Sequence, residues 1–225
     1  MMNAPVKKVV VLGGGTAGWI SAALLKKILG HAIDVEVVES DDIGTIGVGE
    51  ATIPPIQHLN NVLGINEAEF LRETKATIKL AIKFENWKEQ GHSYYHSFGA
   101  AGKSLAFCHF HHLLKRANKL EDDKHFWQYD LNYLCAEAGK FAKINSKDPI
   151  LDMPYAYHFD AGLYAKFLRK FSEKIGVKRT EGMVEHVKQC PKSGFIQALK
   201  LKNGQEVKGD FFIDCSGFKG LLIQE

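Results

Sequence analysis

Three glycines and one acid carry the first chemistry legible in the chain. Residues 9–19 read VVVLGGGTAGW, an apolar run ending in a glycine cluster that opens a helix. Gly13, Gly15 and Gly18 fit the G-x-G-x-x-G spacing, and Glu39 follows Gly18 by 21 residues at the end of another apolar run. The positions divide the work. Gly13 permits a tight turn, Gly15 lets backbone approach a pyrophosphate, and Gly18 lets the helix pack closely on its strand. The helix N-terminus offers N–H groups and partial positive charge to phosphates. Glu39 is placed to accept hydrogen bonds from a ribose. The glycine spacing alone is a weak signal, but strand, glycines, helix and spaced acid together point to a dinucleotide. They leave NAD and FAD open, and the structural alternative is a glycine turn in an α/β core.

Positioning these residues requires a βαβ unit: a buried strand over 7–12, a helix over 17–29 ended by Gly30, and a strand over 33–39. The loop DDIGTIGVGEATIPP follows without periodicity and is closed by Pro54 and Pro55. A loop of that length in a compact domain is usually functional. Residues 54–75 read as two short helices broken around Gly64. TIKLAIKFENW and HSYYHSF alternate apolar and polar residues, which predicts two strands of a small sheet over 77–99. Residues 104–140 read as helical and rich in aromatic and basic side chains. A helix is expected from Asp160 as N-cap to Gly176 as C′, burying Leu163, Phe167, Leu168, Phe171 and Ile175. The end reads as a meander over 178–189, 195–202 and 205–213, with Asn203–Gly204 as a type I′ turn. FFIDCSG then returns a buried strand to the parallel sheet and ends in a small-residue turn. GLLIQE opens what reads as another helix, and its lack of a cap suggests that a longer protein continues.

Composition limits the partners. The 225 residues are 45% hydrophobic and 24% charged with a net charge of +3, which suits a globular protein and is too mild for nucleic acid or an anionic membrane. No stretch approaches the roughly 20 apolar residues of a membrane span. Cys108, Cys135, Cys190 and Cys215 form no C-x-x-C pair and read as reduced thiols of a cytoplasmic protein. CHFHH (108–112) matches no zinc spacing, and a helix would spread its side chains over several faces, so no metal is expected. Asp160 is better explained as an N-cap than as a catalytic partner of His158. The expected organisation is one FAD-type domain over 1–225 with an inserted substrate-side subdomain at about 77–157.

The order of these parts selects the cofactor. A βαβ unit, a long excursion, a three-strand meander and a return strand ending in D-C-S-G is the order of FAD-binding oxidoreductases, whereas an NAD dehydrogenase would continue with regular βαβ units. FAD is therefore expected, with the GVGEAT loop (47–52) bringing backbone and Glu50 towards the flavin.

GGGTAGW, GVGEATIP at 47–54, KLAIKFENW at 79–87, YHFDA at 157–161 and FIDCSGFKGLLI at 212–223 occur in order along nearly the whole chain. In this the sequence resembles the flavin-dependent tryptophan halogenases. The resemblance implies an α/β, Rossmann-like FAD-binding fold with an added substrate-side sheet and helices, the C-terminal remainder of the family fold being absent. It implies reduced FAD supplied by a flavin reductase, and O₂ with chloride or bromide giving hypohalous acid. That acid travels to a second pocket and halogenates an electron-rich ring such as tryptophan or another indole. The family lysine matches Lys79, which either hydrogen-bonds the hypohalous acid or becomes a haloamine. A lysine suits both roles, because an ammonium orients an oxidant and burial favours the nucleophilic amine. In an alternating strand Lys79 can point away from Ile78 and Leu80, and Lys83 shares its parity.

By the same resemblance Gly13, Thr16, Ala17 and Gly18 match the pyrophosphate loop and Glu39 the ribose acid. Gly49, Glu50 and Ala51 match the flavin-side loop, and Val184 a position that meets adenine through backbone groups. Tyr95, His96 and Phe98 match the segment supplying substrate aromatics, with His96 and Phe98 expected on opposite faces of an indole. The family's W-x-W-x-I-P motif and the acidic partner of its lysine are not in this sequence. The reading leaves a homodimer open, along with two alternatives: an aromatic flavin monooxygenase and a flavin-binding piece without turnover.

Overall fold

The computed structural model describes residues 5–44, 47, 49–119, 125–144, 148 and 151–223. In chain order the first elements are β1 (Lys8–Leu12), α1 (Thr16–Leu29), β2 (Asp34–Glu39), β3 (Gly49–Ala51), α2 (Pro55–Leu63), α3 (Glu67–Thr74), β4 (Thr77–Lys79), β5 (Ala81–Glu85) and β6 (Ser93–Ser97). There follow α4 (Phe110–Asn118), α5 (Leu131–Glu137), β7 (Ala156–Asp160), α6 (Ala161–Lys174), β8 (Lys178–Glu181), β9 (Val184–Gln189), β10 (Ile196–Leu201), β11 (Glu206–Lys208) and β12 (Phe211–Asp214). Contacts divide the described residues into two compact units, one drawn from 1–50, 60–76 and 159–225 and the other from 51–59 and 77–158.

The first unit is built on a parallel sheet of order β12-β1-β2-β8. Val9–Leu12 are buried, as are Val35, Val37 and Val38 on β2, the near-continuous apolar pattern of strands covered on both faces. Glu36 is the exception inside this run. It is 1% exposed and is held by Lys8 at 2.6 Å and Lys178 at 2.9 Å, with the Thr180 hydroxyl donating to it. Burial pushes the Glu36 carboxyl up, but the contacts of Lys8, Thr180 and Lys178 together outweigh it and hold it below its ordinary value.

The helix after β7 starts at Asp160, whose carboxylate accepts from the Leu163 N–H at 2.7 Å, and its C-terminus passes into Gly176 at φ +94°. Its fully buried stripe differs from the large apolar face expected. Ala161, Tyr164, Ala165, Leu168 and Ser172 are buried, while Leu163, Phe167, Phe171 and Ile175 are half-buried. Two neighbours cover it: α6 is in contact with both α1 and α3, and Phe70 on α3 meets Tyr164 and Phe167 edge to face.

Two expected strands divide. Residues 178–189 break at Gly182, φ +155°, so β8 joins the parallel sheet and only β9 enters the meander β11-β10-β9. The meander packs Val187, Leu199, Leu201 and Val207 against Val10, Leu12 and Val38. The Asn203–Gly204 turn is not type I′, since only Gly204 has positive φ (+85°). The Gly204 N–H donates to the Leu201 carbonyl and the Leu201 N–H to the Gln205 carbonyl, both at 2.9 Å, a three-residue loop with glycine in the left-handed position. Beyond β12, residues 217–219 form a 3₁₀ turn and 221–223 a further turn instead of the expected helix; Gln224 and Glu225 lie outside the described residues. The Asp214 carboxylate explains this, because it accepts from the Ser216 N–H and hydroxyl and from the N–H groups of Leu222 and Ile223.

In the second unit, residues 77–85 do not make one strand. Lys79 pairs antiparallel with Ala156 on β7, whereas β5 pairs with β6 in the register Lys83↔Tyr95, and the break falls at Leu80. Among its described residues, the expected helical stretch 104–140 contains α4, a 3₁₀ turn at Phe126–Tyr129 and α5. Among the described residues no helix is long and apolar enough to cross a membrane.

Candidate functional site

The glycine turn is closed from two sides. Gly13 has φ +119°, its N–H donates to the Val38 carbonyl at 2.8 Å, and a Cβ there would overlap the Cys215 carbonyl. A Cβ on Gly18 would overlap the carbonyl of Gly13. Helix α1 therefore sits hard on the turn. Its N-cap is Gly15, with no side-chain capping bond and no acidic residue in the first turn, and Gly15 faces open space. Thr16 is half-buried and Ala17 exposed. Orphan N–H groups beside an open glycine are what an anionic pyrophosphate needs, so these residues fit a dinucleotide.

Glu39 is not free-standing. Arg179 Nε donates to it at 2.6 Å and Arg179 Nη2 to Asp41 at 2.6 Å, with Arg169 Nη1 at 3.5 and 3.4 Å from the same two acids. The Arg179 hydrogen bond holds the Asp41 carboxyl below its ordinary value. Glu39 Oε2 lies over Gly14, where a Cβ would overlap it, so the middle glycine of GGG makes room for the acid. The carbonyl of Glu39 accepts from the Gly182 N–H at 2.8 Å, two residues before half-buried Val184. Arg179→Met is expected to weaken FAD binding on the order of tenfold, by freeing the Glu39 carboxylate to swing. Quenching of flavin fluorescence measures this, and Arg179→Lys should recover part of the loss. Gly49 and Glu50 are exposed and available to a ligand. Thr45, Ile46 and Val48 of the same loop lie outside the described residues.

The second unit holds Lys79, Ala51, His96 and Phe98. Lys79 is 7% exposed. Its Nζ donates to the Thr52 carbonyl at 2.8 Å and lies 5.4 Å from the centroid of the Phe98 ring. Thr52 is itself clamped: its N–H and hydroxyl both donate to the Tyr157 carbonyl, at 2.9 and 3.0 Å, and its hydroxyl accepts from the Tyr157 N–H at 3.0 Å. Among the described residues Lys79 has no carboxylate partner, and desolvation lowers its pKa. Lys83, of the same parity, is exposed and paired with Glu85 at 3.2 Å. Ala51, next to Thr52, is exposed. On β7 His158 stands opposite Thr77, and partial desolvation and the charge of Lys79 lower its imidazole.

His96 and Phe98 are close, with centroids 6.5 Å apart, but their planes cross at 69°. They meet edge to face. Tyr95 is engaged elsewhere: its hydroxyl donates to Glu137, and that bond raises the phenol to about 12. His109 and His111 stack at 5.9 Å, and among the described residues no three His, Cys, Asp or Glu side chains gather as a metal site.

Among the described residues, a glycine turn opens onto uncapped amides and a buried lysine has no carboxylate partner. Residues 8–225 match the family described as tryptophan halogenase. The chain belongs to the tryptophan halogenase family. Tryptophan 7-halogenase RebH of Lentzea aerocolonigenes is 39% identical over 240 residues, which covers 100% of this halogenase-family chain and 45% of RebH. A flavin-dependent halogenase from Xanthomonas campestris superposes with a TM-score of 0.92 at 45% identity, over 98% of this chain and 44% of that one. A flavin-dependent halogenase from Brevundimonas sp. BAL3 gives 0.88 at 38% identity, over 97% and 44%. The chain thus spans less than half the length of the curated relatives it matches. Within this halogenase-family chain, Gly14 and Arg179 are the residues that sequence reasoning missed. Gly14 was visible in the GGG run, whereas nothing local ties Arg179 to an acid 140 positions earlier.

Proposed function

We propose that this protein is an FAD-dependent halogenase of electron-rich aromatic rings, with an indole such as tryptophan as substrate. One observation carries the reading: among the described residues Lys79 is buried without a carboxylate, on a clamped carbonyl and beside an aromatic ring. Gly13, Gly15, Thr16, Ala17, Gly18 and Glu39 would hold FAD, with Gly49, Glu50 and Ala51 on its flavin side and Val184 towards adenine. Bound in reduced form, FAD would give two electrons to O₂, bringing it to the peroxide level at which it oxidises halide to hypohalous acid, the second oxygen leaving as water.

Lys79 then has a defined task. An ammonium has three N–H donors, and among the described residues one of them goes to the Thr52 carbonyl. The others can orient the oxygen of hypohalous acid. In the alternative, the neutral amine takes the halogen on nitrogen and passes it on. In a site from which water is excluded, either interaction is stronger than in solution. Phe98 and His96 offer apolar contact to the substrate ring. Halide is a co-substrate and a flavin reductase the transient donor of reduced FAD; the protein works in the cytoplasm, and a homodimer is compatible with this reading.

The test is direct. Supplied with reduced FAD, O₂, bromide and tryptophan or indole, the protein should yield a monobrominated product with the bromine isotope pattern in its mass spectrum. Oxygenated product indifferent to bromide would instead assign a monooxygenase.

A further inference from the structure

On the halogenase reading of the site, we infer that Asn132 is a positioning residue that sets the aromatic wall against Lys79, and through it the position at which the substrate ring is halogenated. The geometry starts at Leu80, between the strand that carries Lys79 and the strand that pairs with β6. Where the ladder changes partner, the Leu80 carbonyl extends the β5–β6 register by one rung. It accepts from the Phe98 N–H at 3.1 Å and, in addition, from Asn132 Nδ2 at 3.3 Å. The same carboxamide nitrogen donates to the Pro154 carbonyl at 2.5 Å, two residues before Ala156, the strand partner of Lys79. One side chain, 0% exposed, therefore ties the lysine's own strand to the strand beside it. It shares its acceptor with the residue whose ring faces the ammonium.

The flanks of Phe98 are held from the same place. Asp130, 1% exposed, accepts from the Ser97 hydroxyl at 2.9 Å and caps α5 through the Tyr133 N–H at 3.0 Å. The Gly99 N–H donates to the Ser97 hydroxyl at 3.1 Å. A Cβ on Gly99 would stand 2.8 Å from Asn132 Oδ1 and 2.9 Å from Asp130 Oδ1, so glycine there leaves space for the pair. Ser97, Phe98 and Gly99 are thus fixed by two buried side chains from the start of α5, neither of which touches the site itself. Buried amide-to-carbonyl bonds have well-defined geometry, and breaking one leaves carbonyls unsatisfied, so the segment would settle elsewhere.

Asn132→Leu conserves size and removes both donated bonds, and the full-length protein is the one to assay. Flavin affinity and the rate of flavin oxidation should stay within about twofold of wild type. Product formation should fall about tenfold or more while free hypohalous acid, trapped by a cyclic dione, rises to match, and the distribution of tryptophan regioisomers should broaden. Should Asn132→Leu fail to fold, Gly99→Ala presses on the same pair without removing a hydrogen-bonding group and is expected to shift the regioisomers the same way. An unchanged product distribution in the folded variant overturns the proposal. So does a fall in flavin oxidation parallel to product, which marks a merely structural role. If the wild-type protein makes no halogenated product, it is the halogenase reading that fails. Asn132 is then judged by calorimetry with indole: an affinity equal in wild type and variant overturns its role, and weaker binding in the variant upholds it.

Discussion

Lys79→Met is expected to lower aromatic halogenation by about two to four orders of magnitude, the range for losing a positioned donor or nucleophile, while FAD binds as before. The side chain is close to isosteric, so the change removes the nitrogen and little else. Stability should move the other way. Desolvation lowers the Lys79 pKa, so the folded state binds its proton less tightly than the unfolded chain does. Between the depressed value and the ordinary one near 10.4, the unfolded state holds more protons, and stability rises with pH. Below that window the buried ammonium is a full cost to the fold. At neutral pH the methionine variant should therefore melt at the same temperature as wild type or higher. Equal halogenation by the variant would remove Lys79 from the reaction. The pH profile separates the two roles of the lysine. An ammonium donor loses activity as pH rises through the depressed pKa, and an amine nucleophile gains it.

Gly18→Ala is expected to cost both fold and cofactor. Its Cβ would overlap the carbonyl oxygen of Gly13, and a backbone atom in a closed turn has nowhere to retreat. Overpacking of this kind destabilises by about 1–3 kcal/mol, several degrees of melting temperature in a chain of this length. FAD binding should fall by more than tenfold, because the displaced turn is the one that presents the amides. Gly15→Ala is the control. Its Cβ meets open space, so the melting temperature should hold while the methyl group intrudes on the phosphate side and weakens FAD alone. Thermal denaturation and flavin fluorescence, run on both variants, separate a residue that shapes the turn from one that lies against the ligand.

What was legible in the sequence was local. β1, α1 and β2 follow from an apolar run, a glycine turn and a second apolar run, each decided within about ten residues. The Asp160 cap and Gly176 stop were legible for the same reason. The break at Leu80 was not. Parity runs unbroken through TIKLAIKFE, and the break is a change of partner from β7 to β6, strands that lie far along the chain. The buried stripe on α6 departs from the expected apolar face because its neighbours, α1 and α3, decide which positions are covered. Glu36 was hidden inside IDVEVVE for a similar reason: its countercharges come from β1 and from β8. In the site, the glycines and Lys79 stood out by type and spacing, and the groups that hold them still did not.

The pairing of β1 with β12 has a consequence for biosynthesis. The wall that closes the glycine turn is the carbonyl of Cys215, yet Gly13 leaves the ribosome some two hundred residues earlier. A nascent chain thus carries its phosphate-binding signature long before it has a finished receptor. Contacts of such sequence separation form slowly and late. Flavin capture must therefore follow closure of the sheet and cannot template it. Shortage of the vitamin should leave a folded, empty protein awaiting its cofactor, with no increase in misfolded nascent chains.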